Sequence, residues 1–447
     1  MEVRVARALT CVDIRMTTNR LSQRLPRRTV ALHACLVVVW LATPTRAIAA
    51  DDQHGPETSR AQALEAARDS KAAEIAPPER SFVERALYAY DNPNQSVLRN
   101  ILIGWKGFHL AGGDFPAGAG FKFGVGFDRA IGSSDPDPRL PNRIDVTARA
   151  AYSTRGYTRL SAGLNLRNLG GAPVDVTMSS QYYEFPQEDF FGLGRTSQKS
   201  NRTDYLLDSV DTGVAVRWRP ALLDIGGGLS YLTPRIGRGT DSRFPSTEVL
   251  FNPATIPGFV NQPDFIRADA SLAFDWRDNP AHPHHGGRYG VLVSQFHDQD
   301  LDAFDFHRVD IDLQQYVPLP NRYRLLAVRA AAVVTDSDAN QHVPFYFQPT
   351  LGGAQTLRGF REFRFRDQNS LLFSAEYRWE AWWALDGALF VDAGTVAPTR
   401  RALSLGDMDV SYGIGFRFHS NGAVIGRLDL AFSREGFVPL LRFEHVF

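Results

Sequence analysis

AFDFHRVDIDLQQYVPL, residues 303–319, sets apolar Val309, Ile311 and Leu313 between polar Arg308, Asp310, Asp312 and Gln314. A period of two sends successive side chains to opposite faces of an extended strand. One face of this strand therefore meets an apolar medium and the other a polar one. The pattern recurs in FIRADASLAFDWRD (265–278), DVSYGIGFRFHS (409–420) and GRLDLAFS (426–433). A soluble β-sandwich also alternates, but charges spread along many strands would be costly inside its core. These strands run to about ten residues, the length a tilted membrane strand needs. Trp218, Trp276, Tyr316, Trp382 and Trp383 stand at strand ends, where an interfacial girdle is expected.

Working outward from these segments, about sixteen strands fit between residue 101 and the C-terminus, an even number as in bacterial barrels. The predicted fold is all-β: a transmembrane antiparallel β-barrel of about 16 strands over 101–447. If the chain enters from the periplasm, the long connections 185–202, 235–263, 336–370 and 395–408 face outward. The short connections PLPN (318–321) and HSNG (419–422) face the periplasm. The connection 131–141 is long for its side and breaks this rule.

The chain has 447 residues, 44% of them hydrophobic and 22% charged, with a formal net charge of zero. That balance gives no support for binding nucleic acid. Residues 1–50 hold eight arginines against two acids, leaving 41 basic and 47 acidic residues elsewhere, a net of −6. Residues 1–49 read as a secretory signal: Arg24, Arg27 and Arg28 precede the apolar run VALHACLVVVWLA (30–42), and Ala47-Ile48-Ala49 fits a cleavage site. Both cysteines, Cys11 and Cys35, fall in that segment, so the expected mature chain has no disulfide and no thiolate metal site. Residues 50–100 read as a periplasmic leader, partly helical or disordered; AQALEAARDSKAAEIA (61–76) has helical composition and Pro77-Pro78 ends it.

The longest connection holds LGGAQTLRGFREFRFRDQ (351–368), with Arg358, Arg361, Arg364 and Arg366 among phenylalanines. Alternation places Glu376 and Arg378 opposite Tyr377 and Trp379, and Asp392 opposite Leu389 and Val391, so both acids point into the lumen. Gly352-Gly353 followed by Leu357-Arg358-Gly359-Phe360 resembles the [V/L]-R-G-[F/Y] signature of the bacterial surface antigen family, the superfamily of BamA/TamA-type outer-membrane assembly factors. Phe390, Asp392 and Gly394 resemble that family's F-x-D-x-G motif. AEYR (375–378) resembles the acidic position of the intervening strand, and DNPAHPHHGGRYG (278–290) resembles the turn that opens an earlier one.

The resemblance covers the barrel part only, about residues 100–447, without the family's periplasmic POTRA repeats. It implies that the loop folds inward and that Arg358 pairs with Asp392 close to Glu376. Arg361, Arg364 and Arg366 would then meet other lumenal acids. It also implies a bacterial outer-membrane location, contact with outer-membrane lipids, and a periplasmic partner protein or an exported client. The implied function is to aid insertion or translocation of proteins, or lipids, at the outer membrane. The alternative is a passive pore or structural barrel without client transport.

The C-terminal stretch FVPLLRFEHVF places Leu441, Phe443 and Phe447 on one strand face and resembles the sorting signal of outer-membrane proteins. No catalytic residues are expected, because no G-x-S-x-G element or spaced His/Ser/Asp set occurs. No cofactor and no metal are expected either. His282, His284 and His285 share a proline-rich turn without an acidic partner beside them, and such a cluster is more often solvated. DFFGLGRTS (189–197) has the glycines of a phosphate loop but no following lysine, and reads as a loop tip.

Overall fold

The computed structural model describes residues 107–111, 115–116, 118–131, 143–320, 324–420 and 423–442. The signal segment, the leader with its boundaries, and Phe443 and Phe447 lie outside them. Strands β1 (Phe108–Leu110), β2 (Lys122–Ile131), β3 (Arg143–Ser153), β4 (Thr158–Arg167), β5 (Val174–Phe190) and β6 (Thr203–Trp218) open the sheet. β7 (Leu223–Leu232), β8 (Arg235–Arg238), β9 (Phe265–Asp275), β10 (Gly286–Asp298), β11 (Phe306–Pro318) and β12 (Arg324–Asp336) continue it. The two-residue strands β13 (Thr350–Leu351) and β14 (Phe365–Arg366) lie within the long loop. β15 (Asn369–Trp382), β16 (Leu385–Ala397), β17 (Asp409–Ser420), β18 (Ala423–Ser433) and β19 (Gly436–Arg442) follow.

Seventeen of these strands form one sheet, and every register in it is antiparallel. β7 and β8 lie end to end along β6, interrupted at Thr233-Pro234, so the seventeen segments fill sixteen positions. Proline lacks the amide donor a ladder needs, which explains the break. Nine spacings separate β6 from β18 along the pairing order, on the order of 40 Å in a flat sheet. Yet Lys199, just before β6, donates to the Glu435 carbonyl just after β18 at 2.8 Å, and Arg195 reaches Asp407 at 3.1 Å. The sheet must curl to bring these ends together. The protein is an antiparallel transmembrane β-barrel. No helix among the described residues is long and apolar enough to cross a membrane.

Alternation sorts the two faces. Val293 of β10, Leu313 of β11 and Val391 of β16 are exposed outward, whereas Ser294, Gln314 and Asp392 between them are buried inward. A contiguous apolar belt of this kind is what hydrocarbon covers in a barrel. Val293 sits mid-strand, opposite Val309 and Ala270. Val293→Arg is therefore expected to cost about 2–4 kcal/mol if it lies near the bilayer midplane. Folding titrations into lipid vesicles check this, with Val293→Leu close to neutral.

Trp218, Trp276, Trp382 and Trp383 are exposed, but Tyr316 is not a girdle residue. It shares the inward parity of Gln314, hydrogen-bonds that side chain at 3.3 Å and packs with Leu325 and Ala327. Aromatic identity at a strand end says nothing about face; parity decides it. DFFGLGRTS is likewise not a free loop tip. Phe190 and Phe191 are 1% exposed, and the Gly194 amide donates to the Arg366 carbonyl at 2.7 Å.

Candidate functional site

Four neighbouring strands, β15 to β18, build one wall of the lumen. Their inward parity presents Glu376 and Arg378, then Asp392, then Ser411 and Arg417, then Arg427 and Asp429. The connection from β12 to β15 folds back on itself, with Thr350 paired to Arg366 and Leu351 to Phe365. Its apolar side chains Leu351, Leu357, Phe360 and Phe365 pack with Leu372 of β15 and Val396 of β16. Burial of these side chains brings the loop to the wall, and Arg358 then enters the charged set.

Arg358, Glu376, Asp392 and Asp429 are all 0% exposed. Arg358 Nη2 donates to Asp392 Oδ1 at 2.6 Å and its Nε to Asp392 Oδ2 at 2.8 Å, a two-point fork. Its Nη1 donates to Glu376. The other Asp392 contacts come from the Arg358 amide at 3.3 Å and the Ser411 hydroxyl at 3.2 Å. Glu376 also accepts from Arg417 at 2.8 Å and Arg378 at 2.7 Å. Asp429 accepts from Arg417 at 2.6 Å and Arg427 at 3.1 Å. Among the described residues, four guanidiniums thus share three carboxylates. Each charge-assisted bond is strong where water is excluded, but each ion has also lost its hydration.

The F-x-D-x-G residues divide the work. The Phe390 ring lies 3.5 Å beneath the Arg358 guanidinium carbon, so its negative face supports the cation. Asp392 receives the fork. A Cβ on Gly394 would stand 2.9 Å from Leu351 Cδ1 and 3.0 Å from the Leu371 carbonyl, so a larger residue would crowd the loop where it settles. Gly359 acts similarly: a Cβ would meet the Phe432 carbonyl at 2.6 Å, while Ser433 donates to the Gly359 carbonyl at 2.7 Å. Gly352 and Gly353 adopt φ of 121° and 86°, which an L side chain rarely takes.

The remaining loop arginines do not all meet lumenal acids. Arg364 bonds Glu435 in the β18–β19 turn at 2.7 Å and Ser197 at 2.8 Å. Arg366 is held by the Phe345 carbonyl at 2.6 Å and the Tyr205 hydroxyl at 3.2 Å. Arg361 is exposed. Backbone carbonyls and hydroxyls of neighbouring loops compete for guanidinium donors as well as acids do, and sequence spacing does not reveal them. Leu441 of the closing strand is outward and exposed.

Arg417, Arg427 and Asp429 were not singled out by motif. Parity could have found them: Arg417 stands between outward Phe416 and Phe418, Asp429 between Leu428 and Leu430, and Arg427 shares the parity of Asp429.

Residues 145–436 match the Omp85 superfamily domain. The chain belongs to the Omp85 superfamily. Among solved structures it is similar to BamA from Haemophilus ducreyi lacking POTRA domains 1–3, with 14% identity and a TM-score of 0.53, over 73% of this chain and 69% of that one. It also aligns with CdiB from Acinetobacter baumannii and from Escherichia coli at 12% identity, with TM-scores of 0.44 and 0.46. These cover 74% of this chain but 57% and 59% of the CdiB chains, so it spans less than two thirds of their length. No curated protein matches the sequence. At such identities the solved structures speak to fold alone. The site of this Omp85 barrel must be read from its own residues: an inward loop clamped to the wall by a dry ion network.

Proposed function

We propose that this Omp85 barrel resides in the bacterial outer membrane and aids insertion or translocation of proteins, or lipids, there, with a separate periplasmic partner supplying clients. In this reading residues 1–49 are the export signal, 50–100 a periplasmic leader, and the role is not enzymatic. The observation that carries it is the clamp at Arg358. Buried ion networks add little net stability compared with apolar packing of the same volume. A loop that only had to be fixed would be held as well by more residues like Leu357 and Phe360. A clamp of discrete bonds suits a loop that is held in one state and released in another.

The test is depletion of the protein in its native host, followed by comparison of outer-membrane and secreted proteins. The expected result is loss of a defined subset, reproduced when Arg358 is replaced in a barrel that still folds. An unchanged set of exported proteins, together with steady partner-free conductance in planar bilayers, would instead identify a passive pore.

A further inference from the structure

At the end of the barrel with the short turns, three separate segments bring a histidine, an aspartate and a second histidine together. His282 comes from the β9–β10 turn, Asp386 from the start of β16 and His419 from the end of β17. His282 Nε2 lies 2.8 Å from Asp386 Oδ2, and His419 Nε2 lies 3.3 Å from Asp386 Oδ1. Their side chains are 8%, 11% and 15% exposed, in the order His282, Asp386, His419. One donor atom from each falls within 4.8 Å of the other two. We propose that His282, Asp386 and His419 form a binding site for a divalent transition-metal ion, zinc by its donor set.

Geometry, chemistry and support of the ligands agree on this. A tetrahedral zinc ion with bonds of roughly 2.0–2.2 Å holds neighbouring ligand atoms about 3.3 Å apart. The His419–Asp386 separation of 3.3 Å matches that value and the His282–Asp386 separation of 2.8 Å is shorter, so a small opening of the latter contact admits an ion. Two borderline imidazole nitrogens with one carboxylate oxygen form a mixed set that zinc accepts, whereas magnesium and calcium favour all-oxygen sites. The buried His419 Nε2 atom faces the Asp386 carboxylate at 3.3 Å without the alignment of a good hydrogen bond, a geometry that an ion shared between them would suit.

The ligands are also held from behind. Asp278 Oδ1 accepts from the His284 and His285 amides at 2.9 and 3.2 Å, closing the turn that carries His282. The Val424 amide donates to the Ala281 carbonyl at 3.3 Å, tying that turn to the base of β18, and the His419 amide donates to Ala384 at 3.0 Å. A cavity of about 110 Å³ adjoins the three residues and is lined also by His284 and Glu380, leaving room for a water or a fourth ligand. The His284 ring centroid lies 4.5 Å from that of His282.

Asp386 shares the inward face of β16 with Asp392, and it pairs in register with Arg417 of the clamp. A metal here would pin the β9–β10 turn to the ends of β16 and β17, two of the strands that carry the clamp. The experiment uses the full-length barrel purified in detergent, stripped with chelator and titrated with zinc chloride by calorimetry, with metal content measured after washing. One zinc per chain is expected. His419→Ala and Asp386→Asn should each weaken binding by at least roughly 100-fold, the upper end of what losing even an outer-shell partner costs. His285→Ala, on the exposed neighbour, should leave binding as it was. Heat-modifiable gel mobility reports whether each variant folds, and should His419→Ala fail to fold, the near-isosteric Asp386→Asn decides. Absence of saturable binding, or unchanged affinity in a folded Asp386→Asn barrel, overturns the proposal.

Discussion

Glu376→Ala is expected to be the most damaging single substitution in the lumen wall. Its carboxylate serves Arg358, Arg378 and Arg417 at once, and its side chain is fully buried. Without it, four guanidiniums face two carboxylates in a space that excludes water. Removing one partner of a buried pair costs about 3–5 kcal/mol, because the remaining charge is left unpaired. Three cations lose a partner here, so the upper end of that range is expected. Glu376→Gln keeps the shape and one acceptor oxygen but drops the charge, and should fall between the alanine variant and the parent. The readout is the urea concentration at which heat-modifiable mobility is lost. A shift below roughly 1 kcal/mol, the scale of an exposed ion pair, would mean that water reaches the network and that the clamp is weak.

The charge count also bears on release. Glu376 holds the loop cation less tightly than an unshared acid would, because Arg417 and Arg378 compete with Arg358 for it. What Arg358 does not share is Asp392, which receives its fork and its amide. Asp392 is therefore the specific latch, and Glu376 the common counter-ion that keeps the set together. Withdrawal of the loop would leave Asp392 with Ser411 alone among these contacts. That return force favours re-latching after each opening.

The strands were legible because membrane and lumen impose opposite chemistry at every second residue. Val309, Ile311 and Leu313 needed no partner to be read as one face. The same rule places Glu376 and Asp392 inward, and with them Arg417 and Asp429 on the polar faces of 409–420 and 426–433, although no motif marks those two. For Tyr316 residue type suggests a girdle, whereas parity places it inward beside Gln314. The loop contacts were not legible for a different reason. Arg364 reaches Ser197 across 167 positions and Arg366 reaches Tyr205 across 161, and nothing in a local window marks such pairs. His282 shows the same limit. Its acid, Asp386, lies 104 positions away and becomes a neighbour only when the sheet is assembled.

Exchanging the latch residues should separate a specific bond from general electrostatics. Arg358→Ala and Asp392→Ala each leave one charge without its main partner, with an expected loss of roughly 3–5 kcal/mol and a loosened loop. Arg358→Asp combined with Asp392→Arg conserves the charge count, so general electrostatics alone would restore the parent. The geometry says otherwise. The new aspartate would stand beside Glu376, and the new guanidinium would grow from β16, where Ser411 and the Phe390 ring are arranged to receive a carboxylate and support a cation from the opposite side. Partial recovery is therefore expected, above either single variant but short of the parent. A protease site introduced beside Gln355 reports on the loop itself, because that residue lies between the glycine turn and the latch. From outside intact cells it should stay uncut in the parent, be cut in both single variants and be cut more slowly in the exchange. Ready cutting of the parent loop at the cell surface would show that Arg358 does not hold the loop within the lumen.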